Sequence, residues 1–311
     1  NWILNMKVMP KIDILMATYN GGEYIAAQIR SLQNQTLSDW HLIVHDDGST
    51  DDTLQIVNDF CKIDNRIEVL DDGKSFHGPA GNFVHLMKSS TAPYMIFCDQ
   101  DDIWLEDKLQ KLHDAMLQVD NGMPQMVYCN AYVYDTMQND ISGHAVLWQP
   151  TDLHEALFAN AGVQGCSIMI NSALRDVCHK VPDYVTMHDH FVTLAALTFG
   201  KITYVDQRLM LYRRHDLAVT GATYKNFMER ITHFFNSDKT VLEKNHVRAI
   251  ESFFECFKQD MPNEKKAIFT DFFRFLNEGK IRNLLHAFIG GYRLFGSRSI
   301  LAFKILVRKM L

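Results

Sequence analysis

Short apolar, β-branched runs alternate along the first two thirds of the chain with segments whose apolar residues recur at helical spacing. The runs predict strands at residues 12–17, 41–45, 67–70, 94–98 and 126–133. The segments between them predict helices at residues 23–35, 51–61, 82–89 and 105–119. Strands that alternate with helices are typical of βαβ units. We therefore expect an α/β fold with a mostly parallel sheet flanked by helices.

The pattern changes after Gly165. A strand is predicted at residues 166–170, helices at 173–179 and 189–199, and a last strand at 202–205. From residue 225 onward every pattern is helical, with one apolar stripe that starts at Phe227 and a second that starts at Val247. We therefore place a domain boundary near residue 224, between residues 1–224 and a helical C-terminal region at residues 225–311.

Composition and charge narrow the class of protein. Of the 311 residues, 47% are hydrophobic and 22% charged, which excludes a disordered chain, and no apolar stretch is long enough for a membrane-spanning helix. The net charge is −13 over residues 1–224, which argues against nucleic acid as a partner, and +7 over residues 225–311. Six scattered cysteines and the lack of a secretory leader predict a cytoplasmic location.

Polar clusters directly follow three of the predicted strands. They are Thr18-Tyr19-Asn20, Asp46-Asp47-Gly48-Ser49 and Asp99-Gln100-Asp101-Asp102. Ligands of parallel sheets bind beyond the carboxyl ends of the strands, so we expect the three clusters to meet at one ligand site. Neither a dinucleotide-binding GxGxxG motif nor a P-loop motif occurs in the chain.

Four segments, in this order and spacing, resemble family 2 glycosyltransferases of the GT-A fold, which is Rossmann-like. They are ILMATYNGGEYIAAQIRSLQNQ at residues 14–35, HDDGSTDDT at 45–53, FCDQDDIW at 97–104 and MHDHFVTLAALTFGKITYVDQRLMLYRRH at 187–215. The last segment is most similar to the bacterial rhamnosyltransferase branch. The resemblance covers about residues 10–221 and implies a GT-A catalytic domain, followed here by the C-terminal helical extension.

The resemblance also implies a divalent metal, Mn²⁺ or Mg²⁺, that binds the diphosphate of a nucleotide sugar. Asp99 and Asp101 match the two aspartates of the family's DxD motif, and His215 matches a further metal or diphosphate contact. Carboxylate oxygens are suitable ligands for such hard cations. Asp102 is expected to cap the helix that follows it. Arg213, with Arg214, could help to neutralise the diphosphate.

The nucleotide-sugar site implied by the family involves six residues. Asp47 matches the aspartate that accepts from the base edge, and Asp99 lies toward the ribose. Thr18, Asn20 and Glu23 match the loop around base and ribose. Asn82 matches an asparagine that often follows a basic residue, but Gly81 precedes it here. Asp46 is expected to be a turn residue.

Asp189 matches the family's catalytic aspartate. It would act as the general base that takes the proton from the acceptor hydroxyl. A helix cap is the other role that its position suggests, and the two are compatible. With one base and no covalent nucleophile, the resemblance implies inversion at the anomeric carbon. Trp104 and His188 are candidates for the border of the acceptor pocket, because aromatic faces suit sugar rings.

The resemblance therefore implies an inverting, metal-dependent hexosyltransferase of surface polysaccharide assembly. The donor would be a dTDP- or UDP-sugar, with rhamnose favoured, and the acceptor a glycan or a lipid-linked glycan. The alternatives are a UDP-hexose transferase of the same fold, a non-catalytic nucleotide-sugar-binding assembly partner, and a metal-dependent nucleotide hydrolase.

The C-terminal segment 279–311 contains seven basic residues and no acidic one. Lys304 and Arg308 fall on one face of its last helix. Near another face lie Ile300, Phe303, Leu306, Val307 and Met310. A basic amphipathic helix suits peripheral contact with an anionic membrane, here at the inner face of the bacterial cytoplasmic membrane. The same pattern suits packing on the acidic domain or on another subunit of a homo-oligomer.

Overall fold

A nine-stranded β-sheet forms the centre of the computed structural model, which describes residues 11–159, 163–214 and 238–309. Its strands are β1 (Ile12–Thr18), β2 (Trp40–Asp46), β3 (Ile67–Val69), β4 (Tyr94–Cys98), β5 (Ile103–Trp104), β6 (Gln125–Asp135), β7 (Asp140–Ser142), β8 (Ile168–Asn171) and β9 (Lys201–Arg214). The helices are α1 (Ile25–Gln33), α2 (Thr53–Ile63), α3 (Pro79–Ser89), α4 (Lys108–Val119), α5 (Leu153–Ala156), α6 (Ser172–Cys178) and α7 (His188–Phe199). Four more helices follow: α8 (Lys244–Phe257), α9 (Asn263–Leu276), α10 (Lys280–Ile289) and α11 (Arg298–Val307).

The strand order is β3-β2-β1-β4-β8-β6-β9-β5, and β7 pairs with the C-terminal end of β6. β3, β2, β1 and β4 are parallel, as the βαβ pattern predicted. β8 is antiparallel to both of its neighbours, β4 and β6, while β6 and β9 are again parallel. The predicted parallel arrangement is therefore confirmed for the first four strands, and the second half of the sheet is mixed.

Two elements at the far edge of the sheet depart from the sequence pattern. β9 continues to Arg214, well beyond the predicted end at residue 205, because it pairs with β6 on one side and β5 on the other. Its exposed polar residues near Asp206 hide the strand alternation. Pairing of Ile103 and Trp104 with β9 also delays the start of α4 to Lys108, with Asp107 at the N-cap. The prediction that Asp102 caps this helix is therefore wrong.

Hydrophobic side chains fill both sides of the sheet. On one side, Ile14 and Val44 of the sheet are buried in a cluster that includes Leu109 of α4. The other side is continuous with the C-terminal helices, since Phe253, Phe269 and Ile305 belong to the same buried cluster as Leu15. The helices of the C-terminal region therefore share a core with the sheet. The predicted boundary at residue 224 and the stripe that starts at Phe227 lie outside the described residues.

The last helix buries the basic face and exposes the apolar face, which is the reverse of what contact with water would favour. Lys304 and Arg308 are 6% and 7% exposed, because their face of α11 packs inward together with Leu301 and Ile305. The apolar side chains of Phe303 and Leu306 face outward instead. Within the described residues, none of the helices is both long and apolar enough to cross a membrane.

Candidate active site

A cleft of about 620 Å³ opens at the carboxyl ends of β1, β2 and β4. The three polar clusters contribute to it, as predicted, and so does the first turn of α7. Of the residues expected at the site, the following line the cleft: Thr18, Asn20, Asp47, Asn82, Asp99, Asp101, Asp189 and Arg213. Seven of the candidate side chains of the nucleotide, metal and base sites thus share one cleft, and Arg213 joins them.

The carboxylates that follow β4 are crowded. Asp99 is half-buried, and burial together with the charge of Asp101 raises the pKa of its carboxyl to about 7. Asp102 is fully buried, and burial together with the charges of Asp99 and Asp101 raises its pKa well above the ordinary value. One Asp102 oxygen accepts from the backbone N–H of Arg213 at 3.1 Å. Like charges this close disfavour ionisation unless a cation joins them.

Two cationic side chains flank this cluster, and sequence analysis singled out only one of them. Lys108 is fully buried, with Nζ donating to the Cys166 carbonyl oxygen at 2.7 Å and lying 3.6 Å from the centre of the Trp104 ring. Arg213 donates from Nε to the Asp101 carbonyl oxygen at 2.6 Å. The pattern of α4 could not distinguish Lys108 from a solvated helix lysine.

Asp189 lies in the first turn of α7, opposite the segment that begins at Gly165. Burial raises the pKa of its carboxyl to about 6, although the N–H groups of His190 and Gly165 stabilise the charged form. Gly165 is required here, because a Cβ at this position would lie 2.4 Å from His188 Nε2. The carboxyl is thus held in the cleft in an environment that brings its pKa near neutrality.

Of the two aromatic candidates for the acceptor pocket, His188 lines the cleft and Trp104 does not. His188 lines the cleft with its ring 4.0 Å from that of Phe83, and burial lowers its pKa to about 3, so the ring is neutral. Trp104 is 2% exposed and packs beneath Lys108 in the core, outside the lining of the cleft.

The loop after β1 is held by backbone and amide hydrogen bonds. Asn20 has a positive φ of 47°, which asparagine tolerates better than most residues, and its Oδ1 accepts from the N–H of Thr50 at 2.8 Å. The Gln100 side chain both accepts from and donates to the backbone of Tyr19, at 3.0 Å each. Asp46 accepts from Thr18, Gly48 and Ser49, which fits the expected turn role. Gln100, to which the sequence analysis assigned no role of its own, thus joins the first and third clusters.

Asp47 anchors the segment 75–78 to the end of β2. Its oxygens accept from the Ser75 hydroxyl and from the N–H groups of Phe76 and Gly78. Burial would raise the pKa of this carboxyl, but these hydrogen bonds outweigh it and the pKa is lowered. Asp47 is therefore ionised at neutral pH and shapes the wall of the cleft.

Two predicted site residues are placed differently from the expectation. Asn82 reaches the cleft, but its amide hydrogen-bonds with His45 through both Oδ1 and Nδ2. Glu23 is exposed in the turn before α1 and is not among the described residues that line the cleft. His215 lies outside the described residues.

Comparison of the sequence with known families gives a match to the model of "Glycosyl transferase family 2" over residues 13–178. The dTDP-rhamnosyl transferase RfbG of Shigella flexneri is 28% identical over 238 residues, which cover 67% of this chain and 74% of that protein. The Escherichia coli protein WfgD, a UDP-Glc:alpha-D-GlcNAc-diphosphoundecaprenol beta-1,3-glucosyltransferase, is 29% identical over 195 residues, which cover 63% and 73%.

Solved structures share the fold at low sequence identity. S. aureus TarS 1-349 in complex with UDP-GlcNAc aligns with a TM-score of 0.56 and 16% identity, covering 94% of this chain and 89% of that one. The mannosyltransferase PcManGT from Pyrobaculum calidifontis, in complex with GDP-Man and Mn2+, aligns with a TM-score of 0.53 and 13% identity, covering 84% and 68%. These neighbours are GT-A glycosyltransferases, so the fold expected from the resemblance is confirmed.

Proposed function

Since the chain belongs to glycosyl transferase family 2, we propose that it transfers a sugar from a nucleotide diphosphate sugar to an acceptor hydroxyl, with inversion at the anomeric carbon. One observation carries the proposal. The acidic cluster after β4 and the carboxyl of Asp189 line the same cleft as the nucleotide-site candidates after β1 and β2.

A divalent cation fits the chemistry of the acidic cluster. Asp99 and Asp101 are crowded carboxylates, and their mutual repulsion is relieved by a cation as well as by a proton. Mn²⁺ or Mg²⁺ accepts such oxygen ligands and, when bound, would neutralise the charge that develops on the departing diphosphate. Arg213 would add a fixed positive charge on the same side of the cleft.

Asp189 is suited to the role of general base. A catalytic carboxyl works best when its pKa approaches the working pH, and burial moves this one to about 6. The ionised carboxylate would accept the proton of the acceptor hydroxyl as that oxygen attacks the anomeric carbon. The glycosidic bond forms as the bond from carbon to the diphosphate oxygen breaks, and the diphosphate leaves with the nucleotide.

We propose dTDP-rhamnose as the donor class and a glycan or lipid-linked glycan of surface polysaccharide assembly as the acceptor. The similarity to a dTDP-rhamnosyl transferase supports this choice. A UDP-hexose is the competing donor, since WfgD has comparable identity and is named for transfer of glucose from UDP-Glc. A rhamnose donor and a glucose donor differ in both sugar and base, so a donor panel separates the two.

The full chain should be titrated with dTDP-rhamnose, UDP-glucose and UDP-GlcNAc by calorimetry, with and without Mn²⁺. We expect the tightest binding for dTDP-rhamnose, a loss of affinity without the cation, and a comparable loss in Asp101→Ala. Product analysis with a saccharide acceptor then tests turnover. Equal affinity with and without Mn²⁺ in both proteins would exclude the metal role, and donor hydrolysis without any acceptor requirement would indicate a hydrolase.

We also propose that the enzyme works at a membrane surface that carries its acceptor. The outward faces of α10 and α11 are apolar, with the following side chains exposed: Ile281, Leu285, Phe288, Ile289, Ile300, Phe303 and Leu306. Exposed Lys280, Arg282 and Arg298 belong to the same two helices. Apolar side chains flanked by basic ones suit an anionic lipid interface. A surface that contacts only water rarely exposes so many large apolar side chains next to one another.

A further inference from the structure

Two histidines and an aspartate form a cluster beside the cleft, apart from the carboxylates after β4. They are His45 at the end of β2, Asp72 in the segment after β3, and His85 in α3. One ligand atom from each lies within 4.8 Å of the other two. His45 Nε2 is 3.4 Å from one Asp72 oxygen, and His85 Nε2 is 2.7 Å from the other.

The hydrogen bonds of Asn82 determine which nitrogen of His45 carries the proton. Asn82 Nδ2 donates to the His45 carbonyl oxygen at 3.1 Å, so Oδ1 is the acceptor that faces the ring. His45 Nδ1, 2.8 Å from this oxygen, must therefore donate to it. In the neutral ring, Nε2 then has a lone pair, and that lone pair points at the Asp72 carboxylate.

A lone pair and a carboxylate oxygen repel each other unless a proton or a metal cation lies between them. His45 is 2% exposed, so water cannot readily relieve this contact. A histidine ligand of a metal typically donates its other ring N–H to a fixed acceptor, which is the role that Asn82 has here. The same asparagine that the family resemblance assigned to the nucleotide thus orients His45 toward Asp72.

The surroundings of the cluster are apolar on one side and cationic on the other. The Phe76 ring covers it, with centroids 5.7 Å from His45 and 4.8 Å from His85. Gly81 makes room for Phe76, since a Cβ there would lie 2.9 Å from the Phe76 Cβ. Lys74 Nζ is 3.0 Å from an Asp72 oxygen, but its side chain is 57% exposed and can be displaced into water.

We propose that His45, Asp72 and His85 bind a divalent transition-metal ion of the Zn²⁺ class. Two imidazole nitrogens and a carboxylate are typical ligands of Zn²⁺, and three protein ligands leave one position for water. The ion would join β2, α3 and the segment after β3. It would thereby brace residues 75–78, whose N–H groups hold Asp47 in the wall of the cleft.

The test uses the full chain after removal of metals with a chelator. Zn²⁺ affinity is measured by competition with a chromophoric chelator, and the ligand field is read from the visible absorption of bound Co²⁺. We expect one Zn²⁺ site in the wild type that His85→Gln and Asp72→Asn each weaken at least about 10-fold. His179→Gln, at an exposed histidine on the edge of α6, is the matched control and should bind Zn²⁺ as the wild type does.

A further variant keeps this site distinguishable from the proposed catalytic metal. Asp101→Ala should lose the Mn²⁺ dependence of nucleotide-sugar binding and keep the Zn²⁺ site. His85→Gln should lose the Zn²⁺ site and keep the Mn²⁺ dependence of nucleotide-sugar binding. Zn²⁺ affinity that is the same in the wild type, His85→Gln and Asp72→Asn would overturn the inference. So would wild-type protein that binds neither Zn²⁺ nor Co²⁺.

Discussion

At the scale of single residues, the cleft combines carboxyls whose surroundings push their pKa values in opposite directions. Three hydrogen bonds keep Asp47 ionised, whereas burial brings Asp189 to a pKa of about 6. A carboxyl that is fixed by hydrogen bonds suits a structural or binding role, and one with a raised pKa suits proton transfer. The two aspartates can therefore be tested separately.

Asp189→Asn should lower kcat by about 10²-fold or more while donor affinity changes little, because the amide cannot accept the acceptor proton. The variant keeps the shape of the side chain. Donor binding is measured by calorimetry and turnover by product release. Near-normal transfer by the variant would show that another group is the base.

The raised pKa of Asp189 predicts that turnover depends on pH. The base must be ionised, so kcat should rise with pH through about 6 and level off above it. The profile is measured for sugar transfer, with donor affinity followed over the same pH range as the control. A profile that is flat between pH 5 and 8, with donor affinity constant, would contradict the assignment of Asp189 as base.

Asp189→Asn should also stabilise the fold at high pH. The ordinary pKa of 3.8 in the unfolded chain is lower than the value of about 6 in the folded chain, so the unfolded state loses this proton first as the pH rises. The free energy of unfolding therefore falls between about pH 4 and 6, by up to about 3 kcal/mol. Urea unfolding should show the variant more stable than wild type at pH 8 and similar to it at pH 4. An equal difference at both pH values would contradict the raised pKa.

At the scale of elements, α4 brings a buried ammonium beneath the acidic cluster. Lys108 lies at the start of the helix, and it hydrogen-bonds to Cys166 next to β8. Its charge is among those that offset the crowding of Asp99. Burying a charge is costly unless a partner of opposite charge is near, so the helix and the carboxylates depend on each other.

Lys108→Met should lower the free energy of unfolding by about 3 kcal/mol at pH 7, because it removes a buried positive charge that offsets the crowded carboxyls after β4. The loss should be smaller at pH 5, where those carboxyls take up protons. Urea unfolding at both pH values measures this. Lys111→Met, on the same helix in an exposed ion pair with Asp107, is the control and should change stability by less than about 1 kcal/mol. Equal effects of the two substitutions would contradict the argument.

At the scale of the whole molecule, the C-terminal helices have a buried inner face and an exposed outer face. Their inner faces complete the core, and Arg293, between α10 and α11, donates to Glu155 at 3.0 Å and Asp152 at 2.6 Å. Their outer faces are apolar. Removing residues 279–311 would therefore expose core as well as remove the outer face, so point substitutions on the outer face are the better test of membrane contact.

Ile289→Glu combined with Leu306→Glu should abolish most of the co-sedimentation with anionic phospholipid vesicles, because burying two carboxylates in the interface is unfavourable. Both side chains are exposed, so the fold should tolerate the changes. Met137→Glu, at an 80% exposed position in the β6–β7 turn, is the control. If the wild type ignores anionic vesicles at low salt and forms a dimer that the double variant lacks, the apolar face is a protein interface.

The sequence by itself determined the alternating α/β pattern, the strands that carry the three polar clusters, and the motifs of the family. These are local signals, since strand periodicity and the residues at strand ends can be read directly along the chain. Because parallel strands end at the same edge of a sheet, the order of the elements was enough to predict that Asp47, Asp99 and Asp101 meet in one cleft.

Only the tertiary structure decided the partners of the charged side chains. Lys108 and Lys111 lie on the same helix, and nothing in their spacing tells that one is fully buried and the other partly exposed. Asn82 turns to His45 because a strand and a helix that are distant in sequence pack together. Lys304 points inward for the same reason, since the core that receives it comes from other segments of the chain. Long-range packing determines which face of an element is buried, and a periodic pattern cannot report it.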